Sequence, residues 1–155
     1  MTDEDKMIKR LQFFLKDDQW AIQLCLDLVY IAHLWDDLID KDKDRSGSDI
    51  NMAFAVALIN IPANPFYKVH AATLHPILLN TILKWQDANT LEVGSEHDMR
   101  LAFVHRAGIV EIFNICAYLI GGMPWAVEHG PDIRRMYQES WDEFSEEMIV
   151  KKGGL

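Results

Sequence analysis

Two stretches of this chain, residues 20–40 and 101–120, are apolar on nearly every side when wound as helices. A helix that is apolar all round cannot face water along its length, so both belong at the centre of a helical array. Hydrophobic spacing is helical elsewhere too, with no internal repeat, low-complexity block or strand pattern. At 155 residues, half of them hydrophobic and including five Trp and seven Phe, the chain can bury a sizeable core. The expected architecture is all-α: a single-domain bundle of roughly five to seven helices around two central apolar ones. The domain is expected to occupy residues 1–150, with residues 151–155 a frayed tail.

Local signals divide the chain. Thr2 is placed to cap a first helix to about Leu15, and Asp17 or Asp18 a second that runs to about Asp40. Lys41 to Ser48 reads as a solvated loop, and a shorter helix follows from Asp49 to about Asn60. Ile61-Pro62-Ala63-Asn64-Pro65 reads as a break, with Asn64 the cap and Pro65 the first residue of the next helix. That helix reaches about Asn89 and is expected to kink or restart near His75, before Pro76. Ser95 caps a long helix ending at Gly121-Gly122, and Pro131-Asp132 opens a last one to about Val150.

Composition excludes some functions. A net charge of −9 without a basic patch argues against nucleic acid, whose phosphates demand Lys and Arg. It leaves room for a phosphate ligand bridged by metal, because the metal reverses the local sign. Cys25 and Cys116 lie in apolar helical stretches without zinc spacing and read as buried free thiols of a reducing compartment. The amino terminus, Met1-Thr2-Asp3-Glu4-Asp5, has no secretory pattern. His105, Arg106, Glu111 and Asn114 interrupt the most apolar segment and argue against a membrane span. A cytoplasmic protein is expected.

The chemistry-bearing stretch is His33-Leu34-Trp35-Asp36-Asp37-Leu38-Ile39-Asp40. His33, Asp36 and Asp40 stack along one side of a helix, with Asp37 at the edge. Clustered carboxylates suit a hard cation such as Mg²⁺, with water and phosphate oxygens completing its shell. At a helix C-terminus they also oppose the dipole unless paired or metal-bound. On the companion helix Glu111, Asn114 and Tyr118 share a face and need partners. The His33/Asp36/Asp40 strip is the natural candidate, with a local pairing of Glu111 to an Arg as the alternative. Arg106 is placed for a phosphate or a structural ion pair. Glu139, Asp142, Glu143, Glu146 and Glu147 line one side of the last helix and read as a solvated face. Two other patterns fail on spacing or context. Asp40-Lys41-Asp42-Lys43-Asp44 starts like a calcium loop, but Arg45 and Asn51 stand where Gly and Glu are needed. His97-Asp98 sits in the first turn after Ser95, where acids serve the helix dipole.

Asp36-Asp37-Leu38-Ile39-Asp40 resembles the Asp-Asp-x-x-Asp motif of class I isoprenoid synthases, most closely the squalene, phytoene and terpene synthase segments. The resemblance implies part of that helical bundle fold, Mg²⁺ held by Asp36 and Asp40 with Asp37 in support, and a diphosphate ligand. His33, Glu111 and Asn114 would then be orienting groups, and Arg106 and Tyr118 substrate-binding ones. The chemistry implied is metal-assisted loss or hydrolysis of a phosphate ester. The second metal motif has no counterpart in register: Glu139, Glu143 and Glu147 keep its spacing with other residue types. Family members are considerably longer, so a half-bundle that dimerises is one expectation. Glu111-x-x-Asn114 is a partial echo of the all-α nucleotide pyrophosphatases. The contrasting expectation is a non-catalytic helical interaction protein, such as a small viral or accessory factor, binding a partner through its acidic last helix.

Overall fold

The computed structural model describes residues 1–41, 43–137 and 139–153, and these form an all-α bundle with no strand among them. The elements are α1 (Asp3–Phe14), α2 (Gln19–Asp40), α3 (Gly47–Ala55), a π-helical turn (Val56–Asn60), α4 (Ile61–Ala63), α5 (Pro65–Leu91), α6 (Glu96–Arg106), α7 (Gly108–Arg134) and α8 (Trp141–Gly153).

Caps set most of these boundaries. Thr2, Ser46 and Ser95 each form a reciprocal capping box, with Asp5, Asp49 and Asp98 respectively. Asp18 accepts from the amides of Trp20 and Ala21, and Asn64 from that of Tyr67. Each supplies an acceptor to an amide that has no partner inside its own helix. Ser140 and Glu143 exchange the same pair of bonds ahead of α8.

Several boundaries differ from the sequence reading. The expected break at residues 61–65 shrinks to Asn64, because α3 runs on through the π-helical turn into α4. Pro76 lies inside α5, which continues through it as one element. The long helix after Ser95 is divided at Ala107, where φ is −76° and ψ is 20°. Gly122 is where the reading ends a helix, but the chain re-enters helix at once and continues to Arg134. The last helix is correspondingly shorter at its start. It also extends through Lys151, Lys152 and Gly153, whereas Gly154 and Leu155 lie outside the described residues.

Gly122 makes α7 a hairpin. Its φ of 79° and ψ of −179° belong to a region that only glycine occupies without strain. A Cβ on Gly130 would lie 3.6 Å from the side-chain oxygen of Asn114, sixteen positions earlier. A straight helix would separate them by about 24 Å, so the two arms of α7 pack antiparallel. The second arm closes the end of α1: the Trp125 indole donates to the Phe14 carbonyl at 2.9 Å, one of the carbonyls a helix end leaves without an internal partner. Gly108 lets the first arm approach α5, since a Cβ there would meet Thr81 Cγ2 at 2.8 Å.

Two clusters form the core. The larger joins Leu11, Phe14 and Leu15 to Leu24 and Cys25 of α2, Phe66 and Leu74 of α5, and Val110, Ile112, Phe113, Cys116 and Ile133 of α7. Cys25 and Cys116 are free, fully buried and in contact; the hydrogen bond between them, together with burial, pushes the Cys25 thiol well up. The smaller cluster is Ala88, Met99, Ala102, Phe144 and Met148, where α5, α6 and α8 meet. By length and composition Glu96–Arg134 is apolar enough to cross a membrane, and about a third of its most apolar window is buried in the fold. Replacing Gly122 with Ala is expected to lower the unfolding free energy by about 1–3 kcal/mol, measured by urea denaturation followed by circular dichroism.

Candidate functional site at the acidic end of α2

The helix α2 ends with Lys41 in the left-handed region, its amide bonded to the Asp37 carbonyl. Three carboxylates therefore crowd the negative pole of a helix dipole, an arrangement that needs cations. The fold brings them from three other places. Arg106, in the last turn of α6, reaches Asp36 at 3.3 Å and Glu92 at 2.7 Å. Lys151, in the last turn of α8, reaches Glu92 at 3.1 Å and Asp40 at 3.7 Å. Arg45, in the loop after α2, holds Asp37 through both its Nε, at 2.7 Å, and Nη2. Lys43 stands 3.8 Å from the same carboxylate.

The result is a continuous ionic chain, Asp36–Arg106–Glu92–Lys151–Asp40, drawn from α2, α5, α6 and α8. Glu92, the C-cap of α5, is its hub and is only 4% exposed. Its two oxygens divide the cations between them, Oε2 taking Arg106 and Oε1 taking Lys151. Burial works against the charge of Arg106, but Asp36 and Glu92 outweigh it and raise its pKa. Lys151 behaves likewise, with Glu92 and then Asp40 offsetting desolvation. The Arg106 guanidinium lies 5.9 Å from the Phe144 ring, which packs with Phe103 and Trp141. Beside it the Tyr137 hydroxyl donates to Glu139 at 2.8 Å, and burial and that bond push the phenol well up.

The residues singled out from sequence separate into two groups. Asp36, Asp40 and Arg106 do meet. Asp37, which helical spacing puts at the edge of the strip, is the most buried of the three aspartates at 5% exposed. It continues the core-facing line of Leu34. The Arg45 hydrogen bonds hold its carboxyl below the usual carboxylate range. His33 is exposed one turn earlier. Glu111, Asn114 and Tyr118 are elsewhere. Glu111 pairs with Lys84 of α5 at 2.6 Å, a lysine where the sequence reading offered an arginine. Asn114 and Tyr118 line a groove of about 600 Å³ between the arms of α7, with Met123, Val127 and Arg134 on its other side. Asp142, Glu143, Glu146 and Glu147 are exposed, as expected for a solvated face. Asp98 serves its capping box, and Asp42 of the calcium-loop pattern lies outside the described residues.

Glu92 and Lys151 were not legible as site residues. Glu92 follows an apolar helix without a motif, and Lys151 falls in the expected tail. The one available signal was charge economy: three acids at a helix C-terminus require cations from somewhere.

Among the described residues, no group of three or more His, Cys, Asp or Glu side chains is arranged to hold a metal ion. Mg²⁺ does not require such a cage, since it commonly uses one or two carboxylates and completes its shell with water and phosphate oxygens. At the end of α2 the carboxylates that would serve in that mode are Asp36 and Asp40, each ion-paired in this structure. The chain matches no protein-family model, no curated protein and no solved structure.

Two stability effects follow. Arg106→Ala leaves Glu92 buried with half its counter-charge, so equilibrium unfolding should report a loss of about 3 kcal/mol. The folded-state pKa of Asp37 is depressed, so its contribution is complete above the unfolded carboxylate range near pH ~4 and is lost as pH falls through the folded value. Asp37→Asn should therefore be less stable than wild type at pH 7, and the gap should close below about pH 4. A gap that stays constant across an acid titration would contradict this.

Proposed function

We propose that the acidic end of α2 binds a diphosphate group bridged by Mg²⁺, with Asp36 and Asp40 toward the metal and Arg106 and Lys151 toward the phosphate oxygens. The observation that supports this reading is the convergence of both charge types at one end of the bundle. A metal–diphosphate unit presents cationic and anionic faces together, so its receptor needs carboxylates and basic groups side by side. Here the two sets neutralise each other. On binding, each carboxylate exchanges a basic side chain for metal, and each freed basic side chain takes a phosphate oxygen. Asp37, tied to Arg45, holds the end of α2 in place. A bound metal would polarise the phosphoryl oxygens and favour loss or hydrolysis of the ester.

The exchange makes a sharp prediction. Mg²⁺ alone meets carboxylates already paired and should leave the melting temperature unchanged. Mg²⁺ with pyrophosphate should raise it, corresponding to about 2.7 kcal/mol at a hundredfold excess over the dissociation constant. The double variant Asp36→Asn/Asp40→Asn should show no such rise while keeping its helical circular dichroism. Absence of a rise in the wild type would sink the proposal.

A second reading has its own support: each of Asp36, Asp37 and Asp40 is already ion-paired. In that case the chain of charges is a structural clamp, and the protein is a non-catalytic helical interaction protein. It requires no thermal shift with Mg²⁺ and pyrophosphate together, so the same measurement separates the two.

A further inference from the structure

Between Asp49 and Lys84 the single charged side chain is Lys68, in a protein of which 25% of residues are charged. Much of this stretch is nevertheless exposed. On α5 a stripe of Val69, Ala72, Pro76, Leu79 and Leu83 faces solvent, with Val69 77%, Leu79 54% and Leu83 49% exposed. The spacing alternates three and four, the pattern of a helix-packing seam, and runs for about 21 Å. It lies opposite the face that carries Phe66, Leu74 and Ala88 into the cores. Before it, the outer side of α3 and the π-helical turn exposes Met52, Phe54, Leu58 and Ile59, again without a charge.

We propose that the outer face of α5 is the interface of a two-fold dimer of this chain, with α5 packed antiparallel against its counterpart. Three observations select a second copy. First, the accessible surface is 9405 Å², whereas a compact monomer of this mass exposes about 8,000 Å². The excess is larger than the ~800 Å² each partner buries in a standard interface. Second, a net charge of −9 drives copies apart wherever acidic surfaces meet, and this face is where two can approach without like charges. A two-fold interface uses the same patch twice, so an uncharged patch satisfies both sides. Third, the stripe is complementary to itself. Pro76 stands midway between Val69 and Leu83, so an antiparallel pairing sets Pro76 on the axis and puts the small Ala72 beside Leu79 of the other copy. Small against large permits the ~8–10 Å spacing of packed helices. A lipid surface is the poorer occupant, because interfacial helices carry several Lys and Arg beside their apolar face, whereas α5 has two lysines, Lys68 and Lys84, and Lys84 is tied to Glu111.

Sedimentation equilibrium at roughly 100 µM, well above micromolar dissociation constants, should give twice the chain mass of 17.9 kDa. Val69→Glu/Leu79→Glu should weaken self-association at least tenfold with helical circular dichroism unchanged, since both side chains are solvent-exposed in the monomer. As an independent readout, Pro76→Cys should oxidise to a covalent dimer, while the wild type, whose thiols are buried, should not. A monomeric wild type overturns the proposal, and one that then floats with phosphatidylcholine vesicles assigns the face to lipid. A dimer that persists in the Glu variant, or that Pro76→Cys fails to cross-link, overturns the α5 seam as its interface.

Discussion

A carboxylate as buried as Glu92 has to be met by cations, and the layout of one end of the bundle follows from meeting that demand. Desolvating a lone carboxylate would cost several kcal/mol, so α6 and α8 must end where their basic residues reach it. Arg106 and Lys151 occupy the last turns of those helices, where positive charge is also favoured by the helix dipole. Each then has one side left over, and the aspartates of α2 fill it. The ends of α2, α5, α6 and α8 are thus tied to one another by charge, and those of α5, α6 and α8 also by a small apolar cluster.

The two hydrophobic clusters divide the remaining work. The larger one, built on α2 and the first arm of α7, supplies most of the apolar burial and carries the paired thiols of Cys25 and Cys116 at its centre. The smaller one sits under the ionic chain and consists of a few residues of α5, α6 and α8. A cluster of that size is a weak anchor for α8, which packs against α6 alone among the helices with extensive contacts. Lys151 gives α8 a second attachment. The Lys152 ammonium, bonded to the Gly94 carbonyl, gives it a third. Electrostatics therefore matters more for α8 than for α2, whose place is fixed by the hydrophobic core.

What could be read from sequence was the part of the fold that residues specify locally. Thr2, Asp18, Asn64 and Ser95 cap helices where their side chains can reach amides two or three positions ahead, and such bonds need no knowledge of the rest of the chain. Residues 20–40 were legible as a core helix for the same reason, since the constraint is in their own composition; of residues 101–120 the part in α7 joins the core, whereas the break at Ala107 leaves Leu101 and Val104 exposed on α6. The hairpin in α7 was half legible. Gly121-Gly122 marks the stop, but Met123–Arg134 contains two prolines and a glycine and so resembles a connection. Pro124 falls in the first turn of the second arm, where a missing amide costs little. Gly130 is tolerated because it allows the arms to approach at Asn114. The ionic chain lay beyond a sequence reading because Asp36, Glu92, Arg106 and Lys151 are joined only by tertiary geometry. Helical spacing correctly grouped Asp36 with Asp40. It put Asp37 at the edge of that strip but could not show that this edge faces the core, because the core-facing direction of α2 is set by what packs on it and not by its own sequence.

The distribution of charge along the chain ties these features together. Acidic side chains are concentrated in α1, at the end of α2 and in α8, while the region from Ile50 to Leu83 carries a single cation. An amphipathic helix in a solitary domain places polar groups on its outer face, yet α5 is apolar on both its inner and outer sides over most of its length. Solubility selects against a large apolar patch that nothing covers, so an outer stripe at regular three-and-four spacing is better explained by a packing partner than by drift. The acidic end of the bundle and the outer face of α5 impose opposite demands on their surroundings. One gathers acidic and basic side chains that neutralise each other; the other exposes apolar side chains with no charge among them. The stripe runs from Val69 to Leu83 on α5, whereas the ionic chain gathers at the ends of α2, α5, α6 and α8, so the two surfaces share no residue and respond to substitution separately.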